Sequence, residues 1–71
     1  MKYTVVIEQS DTGFGAFVPD LPGCIAAGDS RDEIVSLIKE AIEFHIEGLI
    51  EAGEKVPEPH CDALQIDVDA A

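Results

Sequence analysis

The sequence predicts an α+β domain in the order β-β-β-α-β, with one long helix packed on one face of the sheet. Three observations predict it. Two short segments of alternating β-branched and aromatic residues, Lys2 to Gln9 and Phe14 to Val18, flank a turn cluster, Ser10-Asp11-Thr12-Gly13. A long run with helical periodicity follows between Ser30 and Gly53. Beyond it, Leu64, Ile66 and Val68 alternate with the polar residues Gln65, Asp67 and Asp69. No repeat divides the 71 residues, so a single domain is expected over 1–71.

Each element has its own justification. In the first strand Tyr3, Val5 and Ile7 share one face; in the second, Phe14, Ala16 and Val18 face one way and Phe17 the other. Gly13 supplies the positive φ that a hairpin turn asks for. Pro19-Asp20-Leu21-Pro22-Gly23 then breaks the ladder, because its two prolines lack the N–H that pairing needs, and reads as a stiff projecting loop. Cys24 to Ala27 is a short third strand. Ser30 is an N-cap, Glu33 completes a capping box, and Asp32 adds favourable charge to the first turn. The helix runs from Arg31 to about Ala52, roughly 33 Å. Gly53 is placed to end it, and Pro57 and Pro59 prevent its resumption. Leu64 to Val68 reads as a fourth strand with one wet face.

Charge limits what the domain does. Fifteen acidic residues against four basic ones give a net charge of −11, which repels phosphate backbones and attracts basic partners. Unaided nucleic-acid binding is therefore not expected. No run of 18 apolar residues is present, and the N-terminal segment is too short and too acidic for a signal peptide, so a cytoplasmic chain off the membrane is expected. The 46% apolar fraction suffices for a packed core. A domain this small still buries only about 60% of its unfolded surface. Its core then supplies roughly 3–5 kcal/mol. Cys24 and Cys61 stay reduced in such a compartment, so association is the expected supplement, as a homo-oligomer (dimer or tetramer). The helix agrees: its apolar arc is about twice the stripe one sheet requires. Either Leu37 and Phe44 or Ile46 and Ile50 are left for an oligomer interface, unless the C-terminal strand and the Pro-rich segment cover the surplus.

The residues offer little chemistry. His45 sits in the middle of the apolar stripe, with no acid or nucleophile spaced to serve it. Cys24, His45, His60 and Cys61 lack the short repeated spacing of a zinc motif; only His60-Cys61 are close, and neighbours in a strand point to opposite faces. No metal and no cofactor are expected. Glu8 would approach Asp67 or Asp69 if strands one and four were parallel, an arrangement able to hold Mg²⁺ for phosphodiester hydrolysis. Against such a nuclease, Val5 and Val6 occupy the middle of strand one, and four basic residues are too few to engage RNA. No catalytic residue is assigned.

The string Tyr3-Thr4-Val5-Val6-Ile7-Glu8, then Gly13 to Cys24 (G-F-G-A-F-V-P-D-L-P-G-C), Gly28-Asp29-Ser30, Lys39-Glu40-Ala41-Ile42 and Val56-Pro57-Glu58-Pro59 resembles the N-terminal domain of HicB-type antitoxins over residues 1–69. The resemblance implies a four-stranded mixed sheet, similar to a truncated ribonuclease H fold without its catalytic carboxylates, with strand four parallel to strand one. It implies a partner as well: a small basic HicA-type toxin that cleaves mRNA and is neutralised when the antitoxin covers its active site. On that reading Asp20, Leu21 and Pro22, and the ridge Glu40, Glu43, Glu47 and Glu51, are the candidate toxin contacts. Two departures stand out: Leu37 replaces a frequent Asn, and the sequence stops two residues after Asp69, with no operator-binding segment expected. The rival expectation is an orphan structural or ligand-sensing module without a toxin.

Overall fold

Asp11 and Thr12 reverse the chain between β1 (Val6–Ser10) and β2 (Gly13–Phe17), and Ser10 pairs with Gly13 at the closed end of the ladder. Gly13 is required there: a Cβ would sit 2.7 Å from the Gly28 carbonyl oxygen, and its φ is +153°. β3 (Ile25–Gly28) pairs with the other edge of β2, giving an antiparallel sheet in the order β1-β2-β3. The computed structural model describes residues 1–69. β1 begins at Val6 rather than Lys2. The physical reason is its partner: Val18 bonds its N–H to the Cys24 carbonyl (3.2 Å), and Pro19 has no N–H to offer.

The register aligns Ile7, Ala16 and Ala26 across the sheet, and these residues line the core side. Helix α1 (Arg31–Glu51) lies over β2 and β3 and inserts Ile34 and Ile38 among Ala16, Val18, Leu21 and Cys24. Tyr3, Val5 and Phe14 pack around this centre, as the alternation predicted. Both helix ends match their sequence signals. Ser30 Oγ accepts from the Glu33 N–H at 3.1 Å, while Glu33 Oε1 reaches one residue further back than a capping box requires, to the Asp29 N–H at 2.9 Å. At the other end Gly53, with φ +73°, closes a Schellman motif. Its N–H bonds to the Ile50 carbonyl (3.0 Å), and that of Glu54 to the Leu49 carbonyl (2.9 Å).

The expected fourth strand does not form. Residues 54–69 make no ladder, Leu64, Ile66 and Val68 are exposed, and the sheet is three-stranded and antiparallel rather than four-stranded and mixed among the described residues. Geometry explains it. The helix lies over β2 and β3, so a strand added outside β1 would have no helix above its apolar face. Phe44 and Ile50 stay exposed, so the tail does not cover that surplus helix surface. The parallel pairing that would set Glu8 beside Asp67 or Asp69 is absent with it.

Candidate functional site

The segment between β2 and β3 is a folded-in turn, not a projecting loop. Leu21 donates its N–H to the Val18 carbonyl (3.0 Å) and accepts from the Cys24 N–H (3.0 Å), which drives Asp20 and Leu21 inward. Leu21 is fully buried and Asp20 is 4% exposed, while Pro19 before them and Pro22 and Gly23 after them are exposed. The expectation that Asp20 and Leu21 project is corrected by that geometry.

Asp20 is buried because the C-terminal segment closes over it. Its Oδ2 accepts the N–H groups of His60 and Cys61, each at 3.0 Å. Its Oδ1 lies 2.9 Å from His60 Nδ1 and 3.0 Å from Cys61 Sγ. The Cys61 thiol bond is the chief reason the Asp20 carboxyl is held below its ordinary pKa; the two amides and the His60 charge add to it, against the cost of burial. The same bond, with lesser help from burial and the Asp20 charge, pushes the Cys61 thiol above its usual pKa. Adjacent residues converge here because residues 60 and 61 do not belong to a strand, so the argument that they face opposite ways fails. Tyr3 and Thr4 fasten the same segment. Tyr3 Oη donates to the Pro57 carbonyl (2.6 Å), and Thr4 Oγ1 to that of Cys61 (2.8 Å). No sequence signal spaces Asp20 against residues forty positions away. Cys24 is buried under the turn, which raises its pKa, and both cysteines are free thiols.

The acidic ridge is where the sequence placed it. Glu40, Glu43, Glu47 and Glu51 are all exposed, and among the described residues none forms a salt bridge. The ridge runs into a helix C-terminus whose last turn has no basic residue. Acidic side chains at that end meet the negative pole of the helix dipole, an arrangement unfavourable to the isolated chain. It concentrates negative charge along that end of the helix.

The proposed oligomer residues divide. Phe44 is 79% exposed, Ile50 63% and Leu37 36%, while Ile46 packs against the core and is withdrawn from the surface group. His45 is half-buried. A second apolar surface escaped the sequence reading: Val6, Phe17 and Ile25 stand in register across all three strands, on the sheet face away from the helix. Directly opposed residues share a face, so they make one row, with Ile25 70% exposed. Phe17 on the outer side of β2 was the available signal.

Comparison with known proteins decides the lineage. Residues 3–69 match the family described as HicB_like antitoxin of bacterial toxin-antitoxin system. The chain belongs to the HicB-like antitoxin family. A UPF0150 protein of Thermoplasma acidophilum is 39% identical to this HicB-like chain over 67 residues, covering 93% of the chain and 97% of the relative. An uncharacterized 14.9 kDa protein of Haemophilus phage HP1 is 47% identical over 57 residues, 80% of the chain; the match spans 43% of the phage protein. A chain of a solved HicA3 and HicB3 toxin-antitoxin complex superposes with a TM-score of 0.73 at 35% identity, covering 84% of the HicB-like chain and 70% of its counterpart. No helix among the described residues of the HicB-like chain is long and apolar enough to cross a membrane.

Proposed function

We propose that this chain is an antitoxin that binds a small basic HicA-type mRNA interferase and blocks its RNA-binding groove, without catalysing a reaction. The unpaired Glu40–Glu51 ridge, in a chain of this family, carries the reading. Carboxylates held on a rigid helix compete with RNA phosphates for the same basic side chains. The outer row Val6-Phe17-Ile25 offers an apolar patch to the same partner. Phe44, Ile50 and Leu37 are assigned to contact between copies of this chain, in keeping with the stability a small domain gains from association. Pro22 is retained as a toxin contact at the tip of its turn; Asp20 and Leu21 act from beneath it, as its support.

The test is direct. Co-expression with a small basic HicA-type protein, sought in a reading frame beside this one, should restore growth and yield a stable complex that weakens as salt rises through the Debye range. Charge reversal at Glu43 and Glu47 together should weaken the complex at least tenfold while leaving the circular dichroism unchanged. A toxin bound equally well by the reversed variant would remove the ridge from the interface. Finding no basic partner to bind would favour a structural or ligand-sensing module.

A further inference from the structure

We propose that Asp20, His60 and Cys61 form a binding site for one divalent cation of the borderline-soft Zn²⁺ class. This goes beyond the antitoxin reading and does not depend on it. The donor atoms of the three side chains lie within 4.8 Å of one another, and they form the one such group of three or more among the described residues. Neither Glu8 nor Asp67 belongs to it.

The carboxylate is already divided between two tasks. Oδ2 is held by two main-chain amides, which fix the plane of the group. Oδ1 points at a thiol and an imidazole, 3.0 and 2.9 Å away. A nitrogen, a sulfur and an oxygen thus surround a point where hydrogens now lie. Zinc bonds of about 2.0–2.3 Å at tetrahedral angles require these donors to stand roughly 3.3–3.6 Å apart. The two contacts to Asp20 Oδ1 lengthen by about half an ångström to admit the ion, the thiol and imidazole already lie within 4.8 Å of each other, and the His60 side chain that must shift is 78% exposed.

The charges balance. With neutral imidazole the empty cluster carries the single negative charge of Asp20. On binding, the Cys61 S–H bond breaks and its proton leaves to solvent. The His60 Nδ1 hydrogen that now faces Asp20 leaves as Nε2 takes one up from solvent, so the neutral imidazole changes tautomer with no net proton, and the thiolate and Nδ1 coordinate the ion. The metal-bound cluster is neutral, which relieves the burial of an acid that is 4% exposed. Three protein donors leave one position for water. Because Asp20 belongs to the β2–β3 turn and the other two to the tail, the ion would clip the C-terminal segment to the domain. Hard cations do not match a thiolate and an imidazole, which separates this site from the acidic ridge.

The experiment uses the full chain and metal salts alone. Zn²⁺ titrated calorimetrically in excess Mg²⁺ should bind at one equivalent, releasing close to one proton per ion at neutral pH. Co²⁺ in its place should show a thiolate-to-metal charge-transfer band and the intense visible absorption of a tetrahedral ion. Cys61→Ser should abolish that band, and both Cys61→Ser and His60→Asn should weaken zinc binding more than tenfold with unchanged circular dichroism. Any of three results overturns the proposal: several weak sites that Mg²⁺ displaces, no thiolate band with Co²⁺, or a band surviving in Cys61→Ser, which would assign the metal to Cys24.

Discussion

The two halves of α1 have nearly the same apolar content but are buried to different depths. Ile34 and Ile38 in the first half are buried in the core, whereas in the second Ile42 and Ile46 are only partly buried against it and Phe44 and Ile50 stand in solvent. Length explains the difference. Twenty-one helical residues extend about 32 Å, while strands of five residues cover about 17 Å. The sheet ends before the helix does. A hydrophobic stripe records which side of a helix seeks cover; the neighbouring element decides how far along the cover reaches.

Substitutions test this contrast most strongly at its buried end. Ile34→Ala and Leu21→Ala should each destabilise the domain by about 2–5 kcal/mol in chemical unfolding, because each empties a fully enclosed site. Equal losses at Phe44→Ala and Ile34→Ala in dilute monomer would erase the distinction between the halves. At the helix ends the effects shrink. Gly53→Ala forces a side chain into the left-handed region and should cost about 1–2 kcal/mol. Ser30→Ala, which removes the N-cap acceptor, should cost about 1 kcal/mol. Phe44→Ser should change monomer stability by no more than about 0.5 kcal/mol. Its effect belongs to sedimentation, where an associating wild type and a monomeric variant would sharpen the contrast, and identical profiles would remove Phe44 from any interface.

Acid tests the tail separately. Because the folded state lowers the Asp20 pKa, its contribution is present above the unfolded carboxyl value near 4 and is lost as pH falls through the folded one. The thermal midpoint should drop between pH 5 and pH 2, and Asp20→Asn, already weaker at neutral pH, should drop less. Parallel curves for the two proteins would show that Asp20 does not couple the tail to acid.

The same contrast separates what was legible in the sequence from what was not. Ser30, Glu33 and Gly53 act within a few residues of themselves, so the helix limits followed from local chemistry. The hairpin followed likewise from Gly13 and the alternation around it. The misreadings share a cause. Leu64, Ile66 and Val68 have the alternation of a strand, but alternation describes a capacity to pair and names no partner. The prolines around Asp20-Leu21 correctly mark a break in the sheet, yet the bonds among Val18, Leu21 and Cys24 turn the intervening residues inward. The Asp20–His60–Cys61 cluster joins positions far apart in the chain, and nothing at either position announces the other.

The grip of Tyr3 and Thr4 on residues 57 and 61 has a consequence for variation. Both hydroxyls seize main-chain carbonyls, which every amino acid supplies. The fastening is therefore demanding on one side and indifferent on the other: Tyr3→Phe discards a bond, while replacing the side chain at position 57 leaves its acceptor in place. As far as these two bonds are concerned, the side chains at positions 57 and 61 are free to change, provided the backbone still passes the same spot.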